Sequence, residues 1–174
     1  RDQITAKNLN KKNIDAKYLG NPMMDFVDNE PINLVEYQNY QKILLLVGSR
    51  YPEALYNFET FLSCLDQLDN KGKYLILLPL TFNADQKKLG EILSIHNFIK
   101  NTTNNFSLKQ DSIWSKNNIF LLLGFGTFKY WVKLADIGLS NAGTATEQIV
   151  GLGIPSLSIP GRGPQFTKSF AKRQ

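Results

Sequence analysis

The chain has 174 residues, 43% of them apolar and 20% charged, which fits one globular domain with its own core and excludes a disordered or membrane-spanning segment. Its formal charge is +5 with a pI near 9.2, yet the lysines are scattered, which argues for a solvated surface and against a nucleic-acid partner. Cys64 is the only cysteine and His96 the only histidine, so a disulfide framework, a Cys/His zinc site and a Ser-His-Asp triad are excluded; no metal is expected, and a reducing, cytoplasmic setting is the natural inference.

The first residues carry neither a methionine nor the apolar core of a signal peptide, and the chain reads as cut from something longer. Residues 1 to about 40 lack the rhythm of the remaining chain and are broken at Gly20-Asn21-Pro22. They read as the tail of a preceding unit plus a linker, with residues 1–20 outside the main domain and 21–174 making it up.

From Lys42 onward, strand-sized apolar runs alternate with helix-length segments. KILLLVG at 42–48 is a fully apolar run ending in glycine, a buried strand. Pro52 to Leu68 places Leu55, Phe58, Phe61, Leu62, Leu65 and Leu68 at spacings of three and four, which predicts an amphipathic helix with proline at its start. KYLILLP at 73–79 is the second strand, and Asp85 to Ile99 is the second helix. After the Asn-rich turn at 101–105, Phe106 to Trp114 and Asn118 to Leu123 are strand-like and close enough to form a hairpin. Next come a short helix from Thr127 to Leu134, a strand at Ile137 to Leu139, a helix at Thr144 to Leu152 stopped by Gly153, and a strand at Ser156 to Ile159. Gln165 to Gln174 begins one more helix. The order predicts a doubly wound α/β domain with a parallel sheet. Ligands of such sheets sit at the carboxyl ends of strands, here the loops after Val47, Leu123, Leu139 and Ile159.

SNAGTATEQIVGLGIPSLSIPGRGPQF at 140–166 is nearly free of charge. Thr144-Ala-Thr-Glu147 matches a capping box, in which the Thr144 hydroxyl accepts from the Glu147 amide and Glu147 reaches back; this device is worth about 1 kcal/mol and needs no ligand. Ala142-Gly143 before it suits a second role. A strand passing through small residues into a helix presents unpaired N–H groups and the positive end of the helix dipole, the requirements of a phosphate site. Thr144 or Thr146 could donate to phosphate oxygens, and Glu147, one turn in, could accept from a ribose diol. Gly48-Ser49-Arg50 forms a second such entrance, where Arg50 is either a bidentate phosphate ligand or an exposed turn arginine.

Other nucleotide signatures fail. The stretches beginning at Gly124, Gly151 and Gly161 each start like a dinucleotide fingerprint and each lack its last glycine, and the phosphate loop with its lysine is absent. The C-terminal cluster of Arg162, Lys168, Lys172 and Arg173 is a basic patch suited to phosphates or an acidic membrane surface.

LLLVGSR at 44–50, KYLGNPMMD at 17–25 and ADIGLSNAGTATEQIVGLGIPSLSIPGRGPQF at 135–166 together resemble the lipid-A-disaccharide synthase family, more closely its synthase-related group of cyanobacterial type. The third block is the most specific. The resemblance implies a glycosyltransferase of the GT-B fold, with this chain as its C-terminal, Rossmann-like half, and a missing N-terminal domain that carries the acid/base residue and most acceptor contacts. It further implies a nucleotide-sugar donor, UDP-linked, and no cofactor. Gly143, Thr144 and Ala145 would meet the diphosphate together with Ser49 and Arg50, and Glu147 would hold the ribose. The loop of Gly124, Phe125, Gly126, Thr127 and Phe128 would flank the base, and Gln165 and Phe166 would lie near the donor sugar. Asn141-Ala142 departs from the synthase pattern, which leaves the lipid acceptor open.

The resulting expectation is transfer of a hexose-type sugar to a lipid or other acceptor, by a protein that is cytoplasmic or peripheral at the membrane, with this domain inactive alone. Two other readings compete: a nucleotide-sugar epimerase, which would use acidic and histidine chemistry in the cleft, and a non-catalytic nucleotide-binding or interaction module. His96 sits on a predicted helix and reads as structural.

Overall fold

In the computed structural model, residues 2–25, 37–69, 71–81, 84–102, 108 and 110–162 are described. Along the chain these form α1 (Gln3–Asn10), β1 (Gln41–Leu46), α2 (Glu53–Leu65), β2 (Tyr74–Leu80), α3 (Gln86–Ile95), β3 (Ile99–Asn101), β4 (Ser112–Lys116), β5 (Ile119–Phe125), α4 (Phe128–Trp131), β6 (Ile137–Ser140), α5 (Thr144–Gly151) and β7 (Ser156–Leu157). The strands build one sheet in the order β3-β4-β5-β2-β1-β6-β7. Five strands, β5, β2, β1, β6 and β7, run parallel. At one edge β4 and β3 are antiparallel, so the α/β expectation holds with a mixed rather than wholly parallel sheet. The predicted hairpin is β4–β5, turned at Asn117, which takes a left-handed φ of 52°.

Why β1 and β2 are apolar without alternation is clear from their two covered faces. Successive side chains of a strand point to opposite sides. Ile43, Leu45 and Val47 meet Phe58, Phe61 and Leu62 of α2 on one face. Leu44 and Leu46 join Trp131, Val132 and Ile149 in the core on the other.

The second predicted helix ends earlier than its apolar pattern suggests. α3 stops at Ile95; Asn97 adopts φ 63°, its amide returns to the Ser94 carbonyl at 3.0 Å, and the Phe98 amide reaches Leu93 at 2.9 Å. This is a Schellman closure with asparagine in the place glycine usually holds. Ile99 therefore lies in β3 and not in a helix. The stop at Gly153 has the same form and agrees with expectation, with φ 80° at Gly153, its amide on Val150 at 2.9 Å and the Ile154 amide on Ile149 at 3.0 Å. The predicted C-terminal helix at 165–174 lies outside the described residues.

α1 buries none of its side chains and is capped by Asp2, whose carboxylate accepts from the Thr5 amide at 2.7 Å. A 3-10 turn at Pro22–Met24 lies instead against α5: the Gln148 Nε2 donates to the Met23 carbonyl at 2.6 Å, and a β-carbon at Gly151 would come within 3.0 Å of the Met24 sulfur.

Tyr51, which precedes α2 and packs on the first core, has its phenol held above the ordinary value of 10.0 by burial first and by the nearby Asp85 carboxylate second. A raised value favours the neutral phenol in the folded state. The associated stability is therefore complete below the unfolded-state pKa and is lost as pH rises through the higher folded-state value. Denaturant midpoints measured between about pH 9 and 12 are expected to fall more steeply for the wild type than for Tyr51→Phe. Parallel curves would show that Tyr51 titrates as an exposed phenol.

Candidate functional site

At the carboxyl ends of β1, β2 and β6 lies a cleft of about 750 Å³. Its floor is apolar, built by Leu46, Val47, Pro79 and Leu80, and Phe128 adds an aromatic ring. Its polar rim comes from two strand-to-helix turns. After β1 the chain bends at Gly48, whose φ of 94° is a conformation that side-chain-bearing residues rarely adopt, and this turn brings Ser49 and Arg50 to the cleft ahead of α2. After β6, Asn141, Ala142, Gly143, Thr144 and Ala145 lead into α5, with Glu147 one turn further on.

The entrance to α5 is built differently from the capping box that the sequence suggests. Gly143, not Thr144, is the N-cap residue, and no side chain caps the helix; the Thr146 and Glu147 amides both return to the Gly143 carbonyl, at 3.0 and 3.3 Å. Thr144 is thus the first helical residue and is exposed. Thr146, the other candidate phosphate donor, turns inward: its hydroxyl donates to the Ala142 carbonyl at 2.6 Å and accepts from Ser140. With those bonds made, the amides of Gly143, Thr144 and Ala145 have no protein acceptor among the described residues. A β-carbon on Gly143 would meet nothing within 4 Å, so the space before these amides is open.

Two buried amides hold the two turns in place. Asn57 on α2 is 2% exposed and donates to the Val47 carbonyl and to the Arg162 carbonyl, both at 3.1 Å, while its Oδ1 accepts from the Arg162 amide at 2.9 Å. Asn141, 1% exposed, is oriented by the carbonyls it faces and donates to Ile159 at 2.9 Å and Ser140 at 3.1 Å. The segment after β7 is thereby fastened to the ends of β1 and β6, and Arg162 joins the cleft wall. Sequence reasoning missed Asn57. The available signal was a polar residue on the apolar stripe of α2, among Ala54, Phe58 and Phe61.

The structure thus brings Ser49, Arg50, Gly143, Thr144, Ala145 and Glu147 into one cleft. The loop expected to flank the base contributes only Phe128. Gly124 is buried, and a β-carbon there would strike Thr127 and Trp131, at 2.6 and 2.7 Å; Thr127 is fully buried and donates its hydroxyl to the Gly124 carbonyl at 2.9 Å. These two are packing residues, and Phe125 and Gly126 also lie off the cleft wall. Gln165 and Phe166 fall outside the described residues, as do Lys168, Lys172 and Arg173. Glu53, Thr81 and Gln148 also line the cleft, and sequence reasoning singled out none of them, although Gln148 closes the GTATEQ stretch.

His96 caps α3, 3.8 Å from an Asp66 carboxylate that also pairs with Lys116 at 2.5 Å. Asp66 and Lys116 border a smaller hollow by Ile119, where β5 begins, at the opposite end of the sheet. His96 therefore does not line the cleft, whose acidic residues are Glu53 and Glu147.

A family model described as lipid-A-disaccharide synthetase matches residues 6–120. The matched span contains KYLGNPMMD and LLLVGSR and ends before the GTATEQ to GPQF block, so the most specific stretch of the sequence resemblance carries no part of the match. A search among curated proteins returned no match. With more than half of its length matched, and with a Rossmann-like sheet whose cleft lies where that fold binds its ligands, the chain belongs to the lipid-A-disaccharide synthetase family, a family of GT-B glycosyltransferases.

Proposed function

We propose that the cleft holds the nucleoside diphosphate of a UDP-sugar donor, and that the protein transfers a hexose-type sugar from it to a lipid acceptor. The observation that carries the reading is the convergence, over an apolar floor, of Arg50 with the three amides of the α5 entrance that lack an acceptor among the described residues. Oriented N–H groups and a guanidinium favour the diphosphate, and they favour it most as it leaves with its added charge, which lowers the barrier to sugar transfer. Ser49 and Thr144 supply hydroxyl donors. Glu147 accepts from the ribose hydroxyls. Phe128 offers a flat apolar surface to the base. No bound metal is needed in this scheme, and the domain by itself binds the donor without turning it over. No helix among the described residues is long and apolar enough to cross a membrane; a lipid acceptor would be met by association at the membrane surface.

Calorimetric titration of the full chain with UDP, alongside ADP and GDP at the same salt, tests the reading. Selective uptake of UDP is expected, and equal binding of all three or none would overturn it. Glu147→Ala is expected to weaken UDP about tenfold and to abolish the preference for UDP over 2′-deoxy-UDP, since a hydrogen bond to a charged group is worth about 1.5–3 kcal/mol. Its exposed position in the first turn of α5 should hold the stability cost to about 0.5 kcal/mol. A fall in melting temperature with unchanged affinity would make Glu147 a helix-stabilising residue only.

A further inference from the structure

We propose that Arg162 is a second phosphate-gripping cation of the cleft, held in place by Asn57 and Tyr56, and that together with Arg50 it makes the site selective for diphosphates over monophosphates. The assignment rests on the donor reading above and extends it to a residue outside the family match, one that the sequence singles out only as a member of a basic cluster. The backbone comes first. Asn57 binds both the amide and the carbonyl of Arg162, at 2.9 and 3.1 Å, and the same side chain grips the end of β1. Gly161 has no room for a β-carbon, which would run into the Asn57 and Asn141 amides.

The side chain is placed next. The Arg162 guanidinium lies over the Tyr56 ring, 4.0 Å from its centroid. A cation over a ring face is held without spending its N–H groups on an ion pair, which leaves them able to donate to a phosphate. Neither Arg50 nor Arg162 is in an ion pair among the described residues. Both stand by the first turn of α2, which also brings the Glu53 carboxylate to the cleft, and neither forms an ion pair with it. Two guanidiniums in one cleft, neither ion-paired among the described residues, match the two phosphates of a nucleoside diphosphate.

The test titrates the full chain with UDP, UMP and inorganic pyrophosphate, for the wild type, Arg162→Gln, Arg162→Lys and Tyr56→Leu. The wild type is expected to prefer UDP to UMP by about tenfold or more. Arg162→Gln should lower affinity for UDP and for pyrophosphate by about tenfold, lower that for UMP by less than about threefold, and leave the melting temperature unchanged because the backbone bonds to Asn57 survive. Arg162→Lys should fail to restore the preference, since a lysine lacks the planar fork, and Tyr56→Leu should reproduce part of the loss. An unchanged UDP-to-UMP ratio in Arg162→Gln overturns the proposal while leaving the donor reading intact. A pyrophosphate effect without any preference for uridine overturns the donor reading and leaves Arg162 in its role. A wild type that binds neither UDP nor pyrophosphate overturns both.

Discussion

Replacing Asn57 by leucine is expected to cost about 2–3 kcal/mol of stability, because one substitution leaves the Val47 carbonyl and both backbone polar groups of Arg162 without their partner. Leucine is close to asparagine in size, so the loss comes from unmet hydrogen bonds more than from a cavity. For a chain of this length about 1 kcal/mol corresponds to about 2–4 °C, and the melting temperature should drop by about 5–10 °C. Donor affinity should fall with it, since the same side chain fixes the end of β1 and the segment that carries Arg162. A change below about 0.5 kcal/mol in denaturant unfolding would mean that water replaces these bonds freely and that Asn57 does not anchor the cleft.

Arg50→Ala should act in the opposite sense, with a large effect on binding and almost none on folding. The side chain is exposed and without an ion pair among the described residues, so its removal should shift stability by no more than about 0.5 kcal/mol. A charge-assisted contact to phosphate is worth about 1.5–3 kcal/mol, which places the loss of UDP affinity at about thirtyfold. The loss should shrink as salt is raised, because exposed charges are screened over about 10 Å at 0.1 M. Unchanged affinity at low salt would remove Arg50 from the site and leave the α5 amides as its anion-binding element.

Together these variants separate the legible from the hidden parts of the molecule. The apolar runs of β1 and β2 and the three-four spacing in α2 were readable because burial on two faces, or on one stripe, imposes a periodicity on consecutive residues. The turns carrying Ser49-Arg50 and Gly143-Thr144-Ala145 were readable because glycine and small residues between a strand and a helix have few other uses. Other features were not readable, each for a physical reason. His96-Asn97-Phe98 contains no glycine or proline, so the left-handed asparagine that ends α3 gave no warning. Gly143 and Thr144 are both competent helix caps, and the choice depends on Thr146 turning inward to Ala142 and Ser140. Gly124 looked like a ligand-loop glycine, whereas Trp131 and Thr127 crowd the space where a side chain would stand. Asn57 showed as a polar residue on an apolar stripe, but its role was hidden because the groups it joins, Val47 and Arg162, lie 10 and 105 residues away along the chain.

The strand order has a further consequence for synthesis. β1 sits between β2 and β6, yet β6 comes some ninety residues later, so a chain emerging from the ribosome completes β1, β2 and β5 while one side of β1 remains unpaired. That side belongs to the segment Ile43-Leu44-Leu45-Leu46, which is apolar throughout and contains no charged residue to discourage pairing with another chain. Met23 likewise waits for Gln148, 125 residues later. The nascent domain thus carries its stickiest edge open until nearly the last of its strands is made, and its yield depends on how quickly residues 137–140 arrive to close it.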